Sequence, residues 1–227
     1  MFKQLLQTEE YARANRMRIN YNKTKLMIFN PCWSIDFMPE LTLAGQQLEV
    51  VEKIRLLGVI ITSDLKWSSN TQDIVKRAAN KLWVIRRLKK LGANTEELVD
   101  LYTKQCRSIL EFAVPAWNGA LTSQNCKDIE RVQKKALHII LGERYQGYKN
   151  ALKITHLDTL EFRRTKLCLK FAKKAEKDDK HKHWFRLKPT VNTRQHADKY
   201  WQPLARTERL LKSPIAYITS LLNKHYK

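Results

Sequence analysis

The chain has one pair of adjacent aspartates, Asp178-Asp179. Two-metal nucleotidyl transfer needs carboxylates fixed at strand ends, holding two cations roughly 3.5–4 Å apart. This pair instead stands among Lys173, Lys174, Lys177 and Lys180 with no apolar strand around it, and reads as a solvated charge run. Cys168, His181 and His183 match no zinc-ligand spacing. The cysteines at 32, 106, 126 and 168 are too irregularly spaced for a disulfide scaffold and read as reduced intracellular thiols. No Ser/His/Asp or Cys/His arrangement is recognisable, and six glycines form no phosphate-cradling loop. No catalytic constellation stands out.

The cations are more informative. The 227 residues carry 43 Lys+Arg against 22 Asp+Glu, a formal charge of +21. The excess grows along the chain, from +2 in residues 1–70 (9 − 7) to +7 in 71–150 (15 − 8) and +12 in 151–227 (19 − 7). Such a gradient points to a polyanion: nucleic acid first, an anionic membrane surface second, an acidic protein third. The basic residues cluster as Arg86, Arg87, Lys89, Lys90; as Lys127, Arg131, Lys134, Lys135, His138; and as Arg163, Arg164, Lys166, Lys170, Lys173, Lys174. An ordinary solvated helix face carries mixed signs, whereas these three are largely basic. His181–Arg186 and Lys199–Trp201 interleave rings with cations, the composition of a single-strand stacking surface. Trp67 and Trp83 lie beside apolar stripes and read as packing anchors.

The elements that must position these residues follow from periodicity. Phe2, Leu5, Leu6 and Ala12 open the chain on an amphipathic helix that is expected to end near Asn20–Asn22. Leu26–Phe29 and Leu56–Ile61 read as strands buried on both faces, the first stopped by Pro31. Leu41–Leu43 and Gln47–Val51 flank Ala44-Gly45-Gln46 as a hairpin. From Ser68 the period turns helical. A first helix is capped at Ser69 or Asn70, buries Ile74, Ala78, Leu82, Ile85 and Leu88, and ends at Gly92. A second is capped by Asn94 and Glu97, carries Leu98, Leu101, Tyr102, Ile109 and Phe112, and ends at Pro115. A third buries Ile129, Val132, Ala136, Leu137 and Ile140 and ends at Gly142. A fourth starts at Asp158 and buries Leu160, Leu167, Phe171 and Ala175, and Ser213-Pro214 opens a last one. No apolar run reaches the roughly 18 residues of a membrane span, and the mixed polar stretch after Phe2 and Lys3 is not expected to act as a secretory signal.

In this order the segments resemble a known family. An amphipathic helix, Ile19-Asn-Tyr-Asn-Lys-Thr-Lys25, Lys53-Ile-Arg-Leu-Leu-Gly-Val-Ile60 and Leu65-Lys-Trp67 are similar to the end of a reverse transcriptase palm, of the non-LTR (LINE-type) retrotransposon kind. The likeness continues through Arg107–Ala113, Trp117, Glu130–Ala136, Ile139–Gly142, Leu157–Arg164 and Ser213-Pro-Ile215. The resemblance implies that Lys23 and Lys25 lie near the incoming nucleotide or the closing strand of the palm. It implies that Leu57, Gly58 and Val59 form the primer grip, and that the helices from Ser69 are the thumb that cradles template–primer phosphates. The family's catalytic aspartates, its aromatic-Ala-Asp-Asp hairpin, its fingers and its Cys/His knuckle are missing here.

The resulting expectation is an α+β, predominantly α chain: a partial palm sheet of three or four strands with one helix (residues 1–67), a thumb-like helical region (68–142) and a basic helical C-terminal region (143–227). Its function is that of a truncated, catalytically silent RNA-directed DNA polymerase that keeps its template–primer surface. The alternative is a stand-alone basic nucleic-acid-binding or helical interaction module. No cofactor is expected for this chain, Mg²⁺ belonging to the complete parent enzyme. Its partner is expected to be RNA or an RNA–DNA template–primer, with self-association through an open sheet edge, no membrane, and a cytoplasmic or nuclear location.

Overall fold

A computed structural model describes residues 2–29, 41–43, 45–188, 198–202 and 205–226, with side chains from Leu6 onward. Pro31, Cys32, Ala44 and the side chains of Phe2 and Leu5 lie outside the described residues. The chain is α+β and predominantly α, and divides into two compact units, residues 1–69 and 70–227.

In the first unit, α1 (Phe2–Ala14) ends sooner than the asparagines suggested, because Arg16 turns left-handed (φ 55°) and Met17 N–H closes on Ala12 O at 2.8 Å. Asn20 instead caps a 3₁₀ turn, Tyr21–Lys23, its side chain accepting from Lys23 N–H. Six short strands follow: β1 (Lys25–Leu26), β2 (Thr42–Leu43), β3 (Gln46–Gln47), β4 (Glu49–Val50), β5 (Lys53–Leu56) and β6 (Val59–Thr62). They pair as β1 with β4 in parallel, β2 with β3 and β5 with β6 in antiparallel, so the described residues hold three two-stranded ribbons rather than one partial sheet. Gly45 (φ 77°) supplies the positive φ of the β2–β3 turn.

Two strand expectations are corrected. Leu26–Phe29 is not a doubly covered strand: pairing stops at Leu26 and Phe29 is exposed. Leu56–Ile61 is the closing end of a hairpin, with Leu56 opposite Val59 and Leu57 and Gly58 both at positive φ (47° and 86°), a type I′ arrangement. Gly58 was the sole turn signal inside an apolar run, and leucine seldom occupies the left-handed region. A small core of Leu41, Leu43 and Leu48, packed by Ile19, Tyr21 and Leu26, holds this unit.

The second unit, residues 70–227, is helical. Helix α2 (Ser68–Lys90) buries Ile74, Ala78, Leu82 and Ile85 as expected. It closes with Gly92 at φ 90°, Gly92 and Ala93 donating back to Lys89 O and Leu88 O. Ser69 and Asn70 lie inside its first turn, not at the cap. Helix α3 (Thr95–Tyr102) carries the full capping box, Asn94 Oδ1 accepting from Glu97 N–H and Glu97 from Asn94 N–H. It runs into a π-helical turn (Thr103–Arg107), α4 (Ser108–Leu110) and α5 (Val114–Trp117). The wider turn rotates the apolar face: Leu98, Tyr102, Cys106, Leu110 and Val114 are buried at a spacing of four, and Phe112, expected inside, is 51% exposed.

Helix α6 (Ser123–Leu141) buries the expected residues, and its cap is Thr122. Helix α7 (Tyr148–Thr155) was not foreseen; its eight residues sit behind a glycine at φ 98° rather than a capping side chain. Thr159, not Asp158, caps α8 (Leu160–Lys177). The buried face of α8 is Leu160, Arg164, Cys168, Ala172 and Ala175; Leu167 is half-buried and Phe171 exposed. After α9 (Glu208–Leu211), α10 (Pro214–His225) starts at the proline as expected and packs on α8. Its approach depends on Gly119, where a Cβ would fall 2.7 Å from Tyr217 and 2.9 Å from Lys212 O.

Candidate nucleic-acid interface

The basic residues divide by what they bond. On α2, Arg86, Arg87 and Lys90 are exposed and carry no ion pair among the described residues, while Lys89 reaches across to donate to Ile139 O on α6 at 2.6 Å. That bond ties the last turn of α2 to the last turn of α6. Lys134 and Lys135 are exposed on the same half of α6, Lys134 resting 5.1 Å from the ring centre of Tyr148. Arg131, a turn earlier, pairs with Asp128 at 3.0 Å. The C-terminal ends of both helices also carry the partial negative charge of the macrodipole, which favours cations there. Macrodipole complementation explains one or two basic residues per helix end. It does not explain Arg86, Arg87, Lys90, Lys134 and Lys135 together.

The cluster on α8 is corrected. Arg164 is 1% exposed and its Nε donates to Asn118 Oδ1 at 2.9 Å, so it is an interior residue and no surface contact. Arg163 is held by both oxygens of Glu111, Nη2 at 2.9 Å from Oε2, and this bonding raises its already high pKa further. Standing three and four residues after Leu160 and four and three before Leu167, the two arginines fall on the apolar side of the helix and not opposite it. The true stripe is rotated by about one residue, roughly 100°.

In the first unit Lys25 pairs with Glu49 across β1 and β4, and Lys23 is exposed on the 3₁₀ turn. Leu57 stands at the hairpin tip, 88% exposed, with Gly58 and Val59 half-buried behind it.

The ring-and-cation segments near the C-terminus are largely spent on internal contacts. Phe185 and Tyr200 are buried, and Trp184 meets the rings of His181 and Phe171. Lys199 lies 4.0 Å from the ring centre of Tyr226, and Glu176 accepts from Lys199, Tyr200 and Tyr226. Burial pushes the Glu176 carboxyl up, but those three donors outweigh it and hold the pKa at about 2. Trp83, expected to pack, is 62% exposed: it follows Leu82 by one residue and so sits about 100° off the buried stripe.

Several polar residues that the sequence did not single out form the interior of the helical unit. Tyr102 Oη donates to Gln133 Oε1 at 2.7 Å, and Gln133 Nε2 donates to Tyr148 Oη and Asp158 O, both at 2.9 Å. Glu130 accepts from Tyr148 and from Leu160 N–H. The available signal was a glutamine beside Val132 on the apolar stripe. Burial raises the pKa of Tyr102 and Tyr148, so both hydroxyls stay protonated donors.

Asp178 bonds His181 at 2.6 Å and Asp179 bonds Lys182 at 2.7 Å, each carboxylate turned to its own partner. Burial pushes the thiols of Cys106 and Cys168 up to about 11, the opposite of a reactive thiolate. Among the described residues no group of three His, Cys, Asp or Glu could hold a metal ion, and no helix is long and apolar enough to cross a membrane. Comparison with protein-family models, curated proteins and solved structures finds no match.

Proposed function

We propose that the chain is the C-terminal part of a non-LTR retrotransposon reverse transcriptase, without the catalytic aspartates, whose helical unit grips nucleic acid by its phosphates. The observation that carries the binding part is a set of five exposed cations with no ion pair among the described residues, Arg86, Arg87 and Lys90 towards the end of α2 and Lys134 and Lys135 on α6, the two helices being tied by the bond from Lys89 to Ile139 O. The family assignment rests on the order of sequence segments given above. Phosphoryl transfer takes most of its transition-state stabilisation from carboxylate-held metal ions. A chain lacking those carboxylates binds template–primer and extends nothing, with Mg²⁺ or Mn²⁺.

The test is a salt titration of binding to labelled RNA–DNA hybrid. If the five cations each neutralise one phosphate, log K falls against log salt with a slope of about −4 to −5 on a duplex. Arg86→Ala with Arg87→Ala makes that slope shallower by about 2 and weakens all sequences alike. Affinity indifferent to salt refutes the phosphate reading. A stand-alone binding module is separated by substrate choice: preference for a primer junction over plain duplex supports the polymerase origin, and equal affinity favours the module.

A further inference from the structure

We infer that the outer face of α2 is a single-strand binding track on which Trp83 stacks an unpaired base. This deepens the phosphate reading and rests on it.

Lys76, Asn80, Trp83, Arg87 and Lys90 are all exposed, and their spacing of 4, 3, 4 and 3 residues places them along one line of the helix, away from Ile74, Ala78, Leu82 and Ile85. At 1.5 Å per residue the line runs about 21 Å. Asp73 is the one acid of α2, and Arg77 already holds it at 3.4 Å. The line therefore presents three cations, one amide and one indole, with no carboxylate along it.

Exposure of the indole is what needs explaining. Trp117 is buried and donates to Phe112 O at 2.9 Å, and Trp184 is packed by neighbouring rings. Trp83 has no ring or cation stacked on it among the described residues. A tryptophan left in water forfeits its burial energy, and a flat apolar face between cations offers a base what a protein surface otherwise lacks. A paired duplex hides its base faces in its own stack. An unpaired base has a free face, and flanking phosphates then meet Lys76, Arg87 and Lys90.

The probes are a labelled oligouridylate and a duplex of equal length, bound by the full chain. Trp83→Ala should weaken the single strand about 5- to 100-fold, leave its salt slope unchanged and alter duplex affinity by less than about twofold. Trp83→Phe, which keeps a stackable ring, should retain most of the affinity, and oligouridylate should quench fluorescence in the wild type more than in Trp83→Phe. Equal loss on duplex and single strand overturns the unpaired-base assignment. No effect of Trp83→Ala, with Arg86→Ala and Arg87→Ala still weakening binding, overturns stacking and leaves the phosphate reading intact. Loss of both readings is registered separately, by wild-type protein that binds neither probe. Unchanged circular dichroism of Trp83→Ala, expected for a residue outside the core, keeps the comparison clean.

Discussion

Replacing Gln133 by leucine isolates the interior polar network from the surface cations. The glutamine is fully buried, accepts from Tyr102 and donates to Tyr148 and to Asp158 O, so it joins α3, α6, α7 and the entry to α8. Leucine is close in size but offers no polar atom. Tyr148 keeps Glu130 as a partner, and Asp158 is exposed to water. The Tyr102 hydroxyl, in a residue with no exposed surface, is left alone. An orphaned buried donor costs about 1–3 kcal/mol, and each of the other two bonds contributes about 0.5–1.5 kcal/mol. Added apolar burial returns part of this, leaving a net loss of about 2–4 kcal/mol. For a unit of this size, that lowers Tm by about 5–15 °C, read by thermal circular dichroism. The diagnostic is the double variant. Tyr102→Phe removes the orphan, so adding it to Gln133→Leu should recover about 1 kcal/mol, although alone it destabilises. A double variant less stable than Gln133→Leu refutes the network as described.

Gly119→Ala should lower Tm by about 4–8 °C, the effect of roughly 2 kcal/mol of overpacking, because its Cβ meets Tyr217 and the Lys212 carbonyl. Hydrogen exchange should show the loosening first in α10. Glu176 has a folded pKa depressed from 4.5 to about 2, so its contribution is fully present above about pH 4.5 and is lost as pH falls through about 2. Glu176→Gln should remove that acid sensitivity and speed exchange in the last turn of α10; an unchanged acid profile counts against the latch with Lys199, Tyr200 and Tyr226. Leu57→Asn should stabilise the β5–β6 hairpin by up to about 1 kcal/mol, since asparagine tolerates φ 47° better than leucine. It should also reduce concentration-dependent association in sedimentation velocity by removing an 88% exposed leucine. Unaltered association assigns any self-contact to another surface.

What could be read from sequence alone follows from which physical rules are local. The stripe of α2, the capping box at Asn94, the glycine stop at Gly92 and the proline start of α10 depend on residues within one or two turns, and all were legible. The π turn was not: nothing in Thr103–Arg107 forbids an ordinary α turn, and the extra residue rotates everything after it, so Phe112 moved from the expected core to the surface. The α8 face failed for a related reason. Leu167 and Phe171 are larger and more apolar than Cys168 and Ala172, yet packing chose Cys168 and Ala172. Small side chains at those positions let α5 and α10 come close to α8, and close approach places Arg164 inside beside Asn118. The hairpin at Leu57-Gly58 was concealed by its own apolarity.

The polar residues of the helical unit divide into those that hold its helices together and those left open on its surface. Glu111, Glu130, Gln133, Arg163 and Arg164 bond one another or neighbouring backbone and side chains of the same unit: Glu111 with Arg163, Glu130 with Leu160 N–H, Gln133 with Asp158 O, Arg164 with Asn118. Polar residues that meet across 25 to 52 positions constrain how helices dock, because each must find its partner or stay unsatisfied in the interior. They specify a frame. The residues available to a ligand are others: Arg86, Arg87, Lys90, Lys134, Lys135 and Trp83, which bury little and bond little within the chain. Substitutions in the first group should act on stability and reach the proposed nucleic-acid contact only through unfolding. Substitutions in the second should leave melting within about 0.5 kcal/mol of wild type and change affinity, as surface residues outside structural contacts do. A surface variant such as Arg86→Ala with Arg87→Ala that melts early, or a Gln133→Leu protein that is folded yet loses binding, would dissolve the separation and return the frame residues to the candidate interface.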